Sequence, residues 1–474
     1  MFDRRDMGAP SRSYICIDLK TFYASVECVD RGRDPATTNL VVADRDRGPS
    51  TICLAVTPAM KRLGVRNRCR VFDIPQGIDY IMARPRMARY MEVSARIYGI
   101  YLEYVSPEDV HVYSVDECFI DATPYLELYR TDARGLAERL MHAVRSRTGI
   151  SATAGIGPNL FLAKVALDIT AKHVEDGIGC LDEESFRRTI WPHRPITDIW
   201  GIGPGIAARL AKYHVFDLMG VAALREDILY RELGVNAEYL IDHAQGREPC
   251  TIAQIHAYRP AATSLMNGQV LSRDYSYREA RTVLREMVDS SVLDLVDRGV
   301  VSDRISLHVG YGRGEAPNDA LPAACVDPAR HSALDDTVLL ESRRGRREGV
   351  LFVGEHGTRR SGGHPHAGGQ RCIGERTNSF KRLMGHFDAL FTETVDPSRA
   401  IRRINIGFGD LLPEEFATFD LFTDRKAEEA ERSLQRAVLE VKGRYGKNSL
   451  LKGTSFKRGA TGRERNEQVG GHHA

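Results

Sequence analysis

A chain of 474 residues, 42% hydrophobic and 27% charged, has room for about three domains and a sizeable buried core, which excludes a disordered or collagen-like protein. No apolar run approaches the roughly 18 residues of a membrane span, and the start, Met1-Phe-Asp-Arg-Arg-Asp-Met-Gly-Ala-Pro10, puts charges and a proline where a signal peptide needs apolar residues, so a cytoplasmic protein is expected. Sixty-six Lys and Arg against 64 Asp and Glu leave a net charge of +2, so an anionic partner must be held by local basic patches.

In chain order, Tyr14 to Leu19 is an apolar run with one acid, Asp18, which suits a buried central strand and makes that acid anomalous. Strands are expected at 39–43 and 51–56, a short helix at 58–64 ending on Gly64, and a helix at 84–102. Residues 109–121 alternate on both sides of Asp116 and Glu117, predicting two antiparallel strands with those acids at the turn. A helix at 133–147, a strand at 150–156 and a helix from 158 to 172 with Asn159 near its start complete an α+β unit. Pro192 and Pro195 break the chain, and 196–222 reads as two short helices around Gly201-Ile-Gly203-Pro-Gly205. Residues 254–262 read as a linker into a second α+β unit, with strands near 264–272, 303–310 and 401–408 and a helix at 277–297. Periodicity fails between 313 and 372, where arginines and glycines crowd, and a flexible insertion is expected there. A helix at 424–442 is followed by a basic tail, residues 442–465 holding eight Lys or Arg against Glu464 alone. The nine cysteines are dispersed and include no Cys-x-x-Cys pair, so they are expected to be reduced and mostly buried. His364, His366, His472 and His473 read as loop and tail residues rather than metal ligands.

If the strands carrying Asp18, Asp116 and Glu117 are neighbours, three carboxylates meet at one sheet edge. Their mutual repulsion raises their pKa values unless cations neutralise them. Magnesium, a hard ion that prefers carboxylate oxygens, suits that role, and two such ions about 4 Å apart can clamp an attacking hydroxyl and a triphosphate. The residue types therefore fit phosphoryl transfer.

Asp18-Leu-Lys-Thr-Phe-Tyr-Ala-Ser-Val-Glu27 together with Tyr113-Ser-Val-Asp-Glu-Cys-Phe-Ile-Asp121 resembles the two catalytic motifs of the Y-family, or translesion, DNA polymerases, in their bacterial UmuC and DinB-like branch. The resemblance covers most of residues 13–312 and resumes from about 373. It implies an α+β right-hand polymerase with a palm (1–19 and 84–188), fingers (20–83), a helical thumb (189–253) and a little finger (263–412), then a clamp-binding peptide, helix and basic tail (413–474). It implies a template-directed, low-fidelity polymerase that adds deoxynucleotides opposite damaged DNA. Asp18, Asp116, Glu117 and the Leu19 carbonyl would ligate two Mg²⁺ ions. Tyr23 falls on the steric-gate position beneath the incoming sugar, with Phe22 packed beside it as a core aromatic. Lys61 and Lys172 match the triphosphate-binding positions, with Arg62 competing for that role, and Thr57 and Pro58 stand where relatives offer a further polar contact. Lys20 departs from the usual Asp or Asn. Gly201, Gly203 and Gly205 form a helix-hairpin-helix turn for DNA phosphates. Phe416 to Phe422, above all Phe419, Leu421 and Phe422, resembles the sliding-clamp peptide, although Thr418 replaces the usual Gln. Primer-template DNA, deoxynucleoside triphosphates, a sliding clamp and damage-response accessory proteins are the implied partners, and damage-induced expression is a family expectation. A nucleotide cyclase needs the same acids but no helix-hairpin-helix, and a silent accessory protein would have lost them.

Overall fold

The computed structural model describes residues 12–259, 263–315, 351–352, 365–419, 424–469 and 472–473. Contacts divide the chain into two compact units that meet in sequence between Arg259 and Pro260.

The first unit is built on a five-stranded sheet in the order Val110–Val112, Glu117–Asp121, Tyr14–Leu19, Ala152–Gly157, Ile178–Cys180. Neighbours are antiparallel except the last pair, which is parallel. Tyr14–Leu19 lies at the centre, and five of its six residues are buried, Asp18 being the exception. Helix Leu160–Asp168, N-capped by Asn159, packs on this sheet, burying Tyr14, Cys16, Phe119, Leu160, Ala163 and Leu167 together. The helix approaches so closely that a Cβ on Gly155 would lie 2.2 Å from the Ala163 carbonyl oxygen and one on Gly157 2.6 Å from the Ala163 nitrogen. Only glycine fits at either position. The helix ends at Asp168, short of the expected 172, and a separate 3₁₀ turn, Thr170–His173, carries Lys172.

A smaller sheet of Ala55–Val56, Leu40–Val42 and Ile81–Ala83 encloses a core of Val41, Ala43, Cys53, Val56, Met60, Val65 and Ile74. The expected strand at 51–56 is thus reduced to two residues, with Ile52 forming only an isolated bridge to Arg70. Short helices from Pro204 to Ala244 form a third cluster around Leu210, Leu218, Val221, Leu229 and Leu240.

The sequence reading of 254–262 as linker is corrected at its start. Ile252–Ala257 is a helix, opened by a capping box between Thr251 and Gln254, and Ile252 is buried with Tyr14 and Phe119.

The second unit is a sheet in the order Leu351–Phe352, His366–Thr377, Val300–Glu315, Arg399–Gly409, Ser264–Tyr275. Helices Tyr277–Asp297 and Phe380–Thr394 cover one face, burying Val283, Leu284, Met287, Phe387, Phe391 and Phe408. The expected insertion at 313–372 is too wide. Strands run on to Glu315 and resume by His366, because alternating residues there pair in register, His308 opposite Gly368 and Ser306 opposite Gln370. His366 is therefore a strand residue, not a loop residue.

Helix Arg425–Tyr445 and the basic tail lie against this unit's helices. Lys452 pairs with Asp289, the Thr461 and Gly462 amides donate to Glu286 Oε2 at 2.8 and 3.0 Å, and Arg465 bonds Gln269 at 3.2 Å. Burial lowers the Arg465 guanidinium below its ordinary value. The tail expected to touch DNA thus spends Lys452 and Arg465 on its own domain. Of the eight cysteines described, all are free, four are buried, and Cys180 and Cys372 are exposed. Among the described residues no helix is long and apolar enough to cross a membrane.

Candidate active site

Strand register brings the acids together. Asp18 stands directly opposite Glu117 in the antiparallel pair, so both project to the same face. Asp116 precedes Glu117 in the turn, which is tied to the central strand by the Leu19 amide donating to the Asp116 carbonyl at 2.9 Å. Ser114 closes the turn. Its hydroxyl donates to Asp116 Oδ1 at 2.7 Å and accepts from the Glu117 amide at 3.1 Å. Burial, and then the Asp116 and Glu117 charges, push the Asp18 carboxyl up to about 7.

Sequence reasoning missed the group that answers this charge. Lys164 is 5% exposed, and its Nζ lies 2.6 Å from Glu117 Oε1 and 2.9 Å from Asp168 Oδ1. Burial alone would lower its ammonium, but the hydrogen bonds and charges of Glu117 and Asp168 outweigh that and hold it above its ordinary value. The signal was one lysine in the apolar run Leu160 to Leu167, with Asp168 four residues on.

Three carboxylates of this kind form a donor set suited to a hard divalent cation. With Asp116 held by Ser114 and Glu117 by Lys164, among the described residues no three acidic, His or Cys side chains converge as a finished metal cage.

Of the expected substrate residues, Tyr23 and Lys61 feel the charge of these acids. Tyr23, on helix Phe22–Val29, is raised above its ordinary value by burial and then by the Asp116 charge. It stacks on Tyr90 with centroids 4.5 Å apart, and Tyr90 donates to the fully buried Glu27 at 2.8 Å. Arg86 holds the same carboxylate at 2.9 Å. Phe22 is 2% exposed and packs in the core. Lys61 is lowered by desolvation and by Lys172, while Asp18 pulls it up, so both lysines share one field with the acid. The rival Arg62 donates instead to the Ala36 carbonyl at 2.6 Å. Thr57, at the position where the sequence departs from its relatives, is fully buried, and its hydroxyl donates to the Thr38 carbonyl at 2.8 Å. Lys20 turns aside, its Nζ 3.4 Å from where a Gly177 Cβ would stand.

Residues 17–168 match the family model described as the impB/mucB/samB family. A relative named for UV-damage repair, UvrX of Bacillus subtilis strain 168, is 29% identical over 65% of this chain and 72% of its own length. DNA polymerase IV 2 of the same organism is 26% identical over 96% of this chain and 98% of the relative. A solved Y-family DNA polymerase chimera superposes with a TM-score of 0.56 at 16% identity, covering 85% of this chain and 99% of that one, a likeness of fold. In its first third the chain matches that family, and over most of its length it is similar to DNA polymerase IV in sequence and to a Y-family polymerase in fold.

The other expected sites lie further out. Gly201, Gly203 and Gly205 are exposed, Gly201 has φ 86°, and Gly203 stands before helix Pro204–Ala211 without a side-chain cap, leaving backbone N–H groups open. In the expected clamp peptide, Thr418 is pinned to the second unit by its amide donating to the Arg376 carbonyl at 3.0 Å. Phe419 is 40% exposed beneath the Arg425 guanidinium, 5.0 Å away. Leu421 and Phe422 lie outside the described residues.

Proposed function

We propose that this chain is a template-directed DNA polymerase that adds deoxynucleotides across damaged template. The observation that carries the reading is Asp18 directly opposite Glu117, with Asp116 in the joining turn and Lys61 and Lys172 in the same field. In this reading Asp18, Asp116, Glu117 and the Leu19 carbonyl hold two Mg²⁺ ions, which supply Lewis-acid activation of the primer 3′ hydroxyl and charge neutralisation of the triphosphate. Lys61 and Lys172 draw the triphosphate oxygens toward the carboxylates, and Tyr23 fills the space a 2′ hydroxyl would need. Lys164, bonded to Glu117 at 2.6 Å, sets one positive charge against the acidic cluster.

DNA is held without reading its sequence. The open turn at Gly201 and Gly203 offers amides to a phosphate. The sheet face opposite the helices of the second unit carries rows such as Val270, Arg403, Gly310, His366 and Gly268, Asn405, His308, Gly368, whose glycines leave room for a backbone and whose Arg403 offers it a cation. We assign palm to 1–19 and 84–188, fingers to 20–83, thumb to 189–253 and little finger to 263–412. The names of UvrX and DNA polymerase IV 2 support a place in damage tolerance, with cytoplasmic localisation, damage-induced expression and accessory proteins as parts of the same reading. The retained triad speaks against a silent accessory protein.

The test is primer extension by the purified chain with Mg²⁺ and four deoxynucleotides, on intact template and on one with an abasic site. Extension past the lesion, absent from an Asp18→Ala, Asp116→Ala control, is expected. No extension on either template with DNA still bound would return the chain to an accessory role. For the clamp peptide, Leu421→Ala with Phe422→Ala should weaken sliding-clamp binding at least tenfold in a direct titration, as loss of two buried apolar anchors does. Unchanged affinity would remove that assignment.

A further inference from the structure

Two aromatic residues, the exposed Tyr113 and the half-buried Trp200, join the catalytic turn to the glycine turn. Trp200 Nε1 donates to the Tyr113 hydroxyl at 3.1 Å, with their rings edge to face at 6.0 Å. Each sits at the root of one turn. The Tyr113 and Ser114 amides both donate to the Glu117 carbonyl at 3.0 Å, closing the loop that carries Asp116. Trp200 immediately precedes Gly201.

A column of rings anchors this bond on both sides. Tyr113 meets Phe119 of the central sheet edge-on at 5.7 Å, Trp200 stacks with His243 at 6.0 Å, and His243 stacks on Phe161 at 4.0 Å. His243 is itself fixed by Glu248 at 3.0 Å. Core packing accounts for the half-buried Trp200, which lies against the helical cluster, but not for Tyr113, which is 44% exposed.

The geometry points to Tyr113 and Trp200 as positioning residues for the primer 3′ end, a clasp that fixes the distance between the phosphate-holding turn and the carboxylates. This inference rests on the polymerase reading above. Its physical basis is that DNA has a fixed phosphate spacing. If one turn grips a primer phosphate and the other receives the terminal hydroxyl, any play between them is displacement of the attacking oxygen. A misplacement of about 1 Å can cost on the order of a hundredfold in rate.

Rapid-quench single-nucleotide addition on undamaged DNA tests this with Trp200→Ala, Trp200→Phe, Tyr113→Phe and the double Phe variant. Trp200→Ala should slow the chemical step roughly tenfold or more, with deoxynucleotide affinity unchanged. Each Phe variant should slow it a few-fold, and the double no more than either single, since both remove one shared hydrogen bond. A Trp200→Ala enzyme with wild-type rate and merely a smaller burst amplitude would reduce the pair to a folding role and overturn the inference. So would Phe variants whose effects multiply. A wild-type chain that adds no nucleotide would instead sink the polymerase reading itself, which separates the two failures.

Discussion

Replacing Asp18 by Asn should abolish nucleotide addition and yet stabilise the metal-free protein. The activity loss follows from removing the one acid that faces Glu117 across the strand pair, and a fall to below about a thousandth of wild type is expected, as for other loss of a charge-stabilising group. The stability gain follows from linkage. The Asp18 carboxyl is raised from 3.8 to about 7 by burial and by Asp116 and Glu117, so the folded state holds its proton more tightly than the unfolded state does. Below about pH 4 both states are protonated and nothing is lost. As pH rises from 4 to 7 the unfolded chain ionises first, and the fold loses stability, reaching a full cost on the order of 4 kcal/mol above pH 7. The neutral amide carries no such cost. The melting temperature of Asp18→Asn, measured without metal, should therefore exceed that of wild type by several degrees at pH 8, and the gap should close toward pH 4. Added Mg²⁺ should raise only the wild type, because an ion that binds the folded state alone stabilises it by mass action. Equal melting curves at pH 8 would mean that Asp18 is not held among like charges.

That cost was half legible in the sequence. A single acid in the apolar run Tyr14 to Leu19 announced a buried carboxylate, and the alternation around Asp116 and Glu117 announced a hairpin whose turn carries two more. Periodicity sees residues close in the chain, so the register that sets Asp18 against Glu117 had to come from the fold, and so did Lys164, which reaches Glu117 from 47 residues away. The same limit explains the tail. Its basic composition reads as a nucleic-acid contact, whereas Arg465 meets Asn267, Gln269 and the Gly268 carbonyl, almost 200 positions earlier. The capping box at Thr251 and Gln254 was a local signal, by contrast, and it marked a helix where low periodicity suggested a linker.

Tyr23→Ala should admit ribonucleotides. The tyrosine is held from behind rather than merely placed: its ring lies on Tyr90 at 4.5 Å and 18°, and the Tyr90 hydroxyl is fixed by Glu27, a buried carboxylate that Arg31 and Arg86 also hold. A ring so backed cannot swing away when a 2′ hydroxyl arrives, so the clash has to be met by the substrate. Removing the ring should cut the preference for deoxynucleotides, measured as the ratio of kcat/KM values, by roughly a hundredfold. Tyr90→Ala should produce a smaller loss of the same sign, roughly tenfold, by giving Tyr23 room to retreat while leaving it in place. Tyr90→Phe keeps the stacked ring and removes one of the two hydrogen bonds to Glu27 Oε1, the Arg86 bond remaining, so it should cost stability rather than sugar selection. Unchanged discrimination in Tyr23→Ala would take the gate away from this residue, and full discrimination in Tyr90→Ala would show that the ring needs no support.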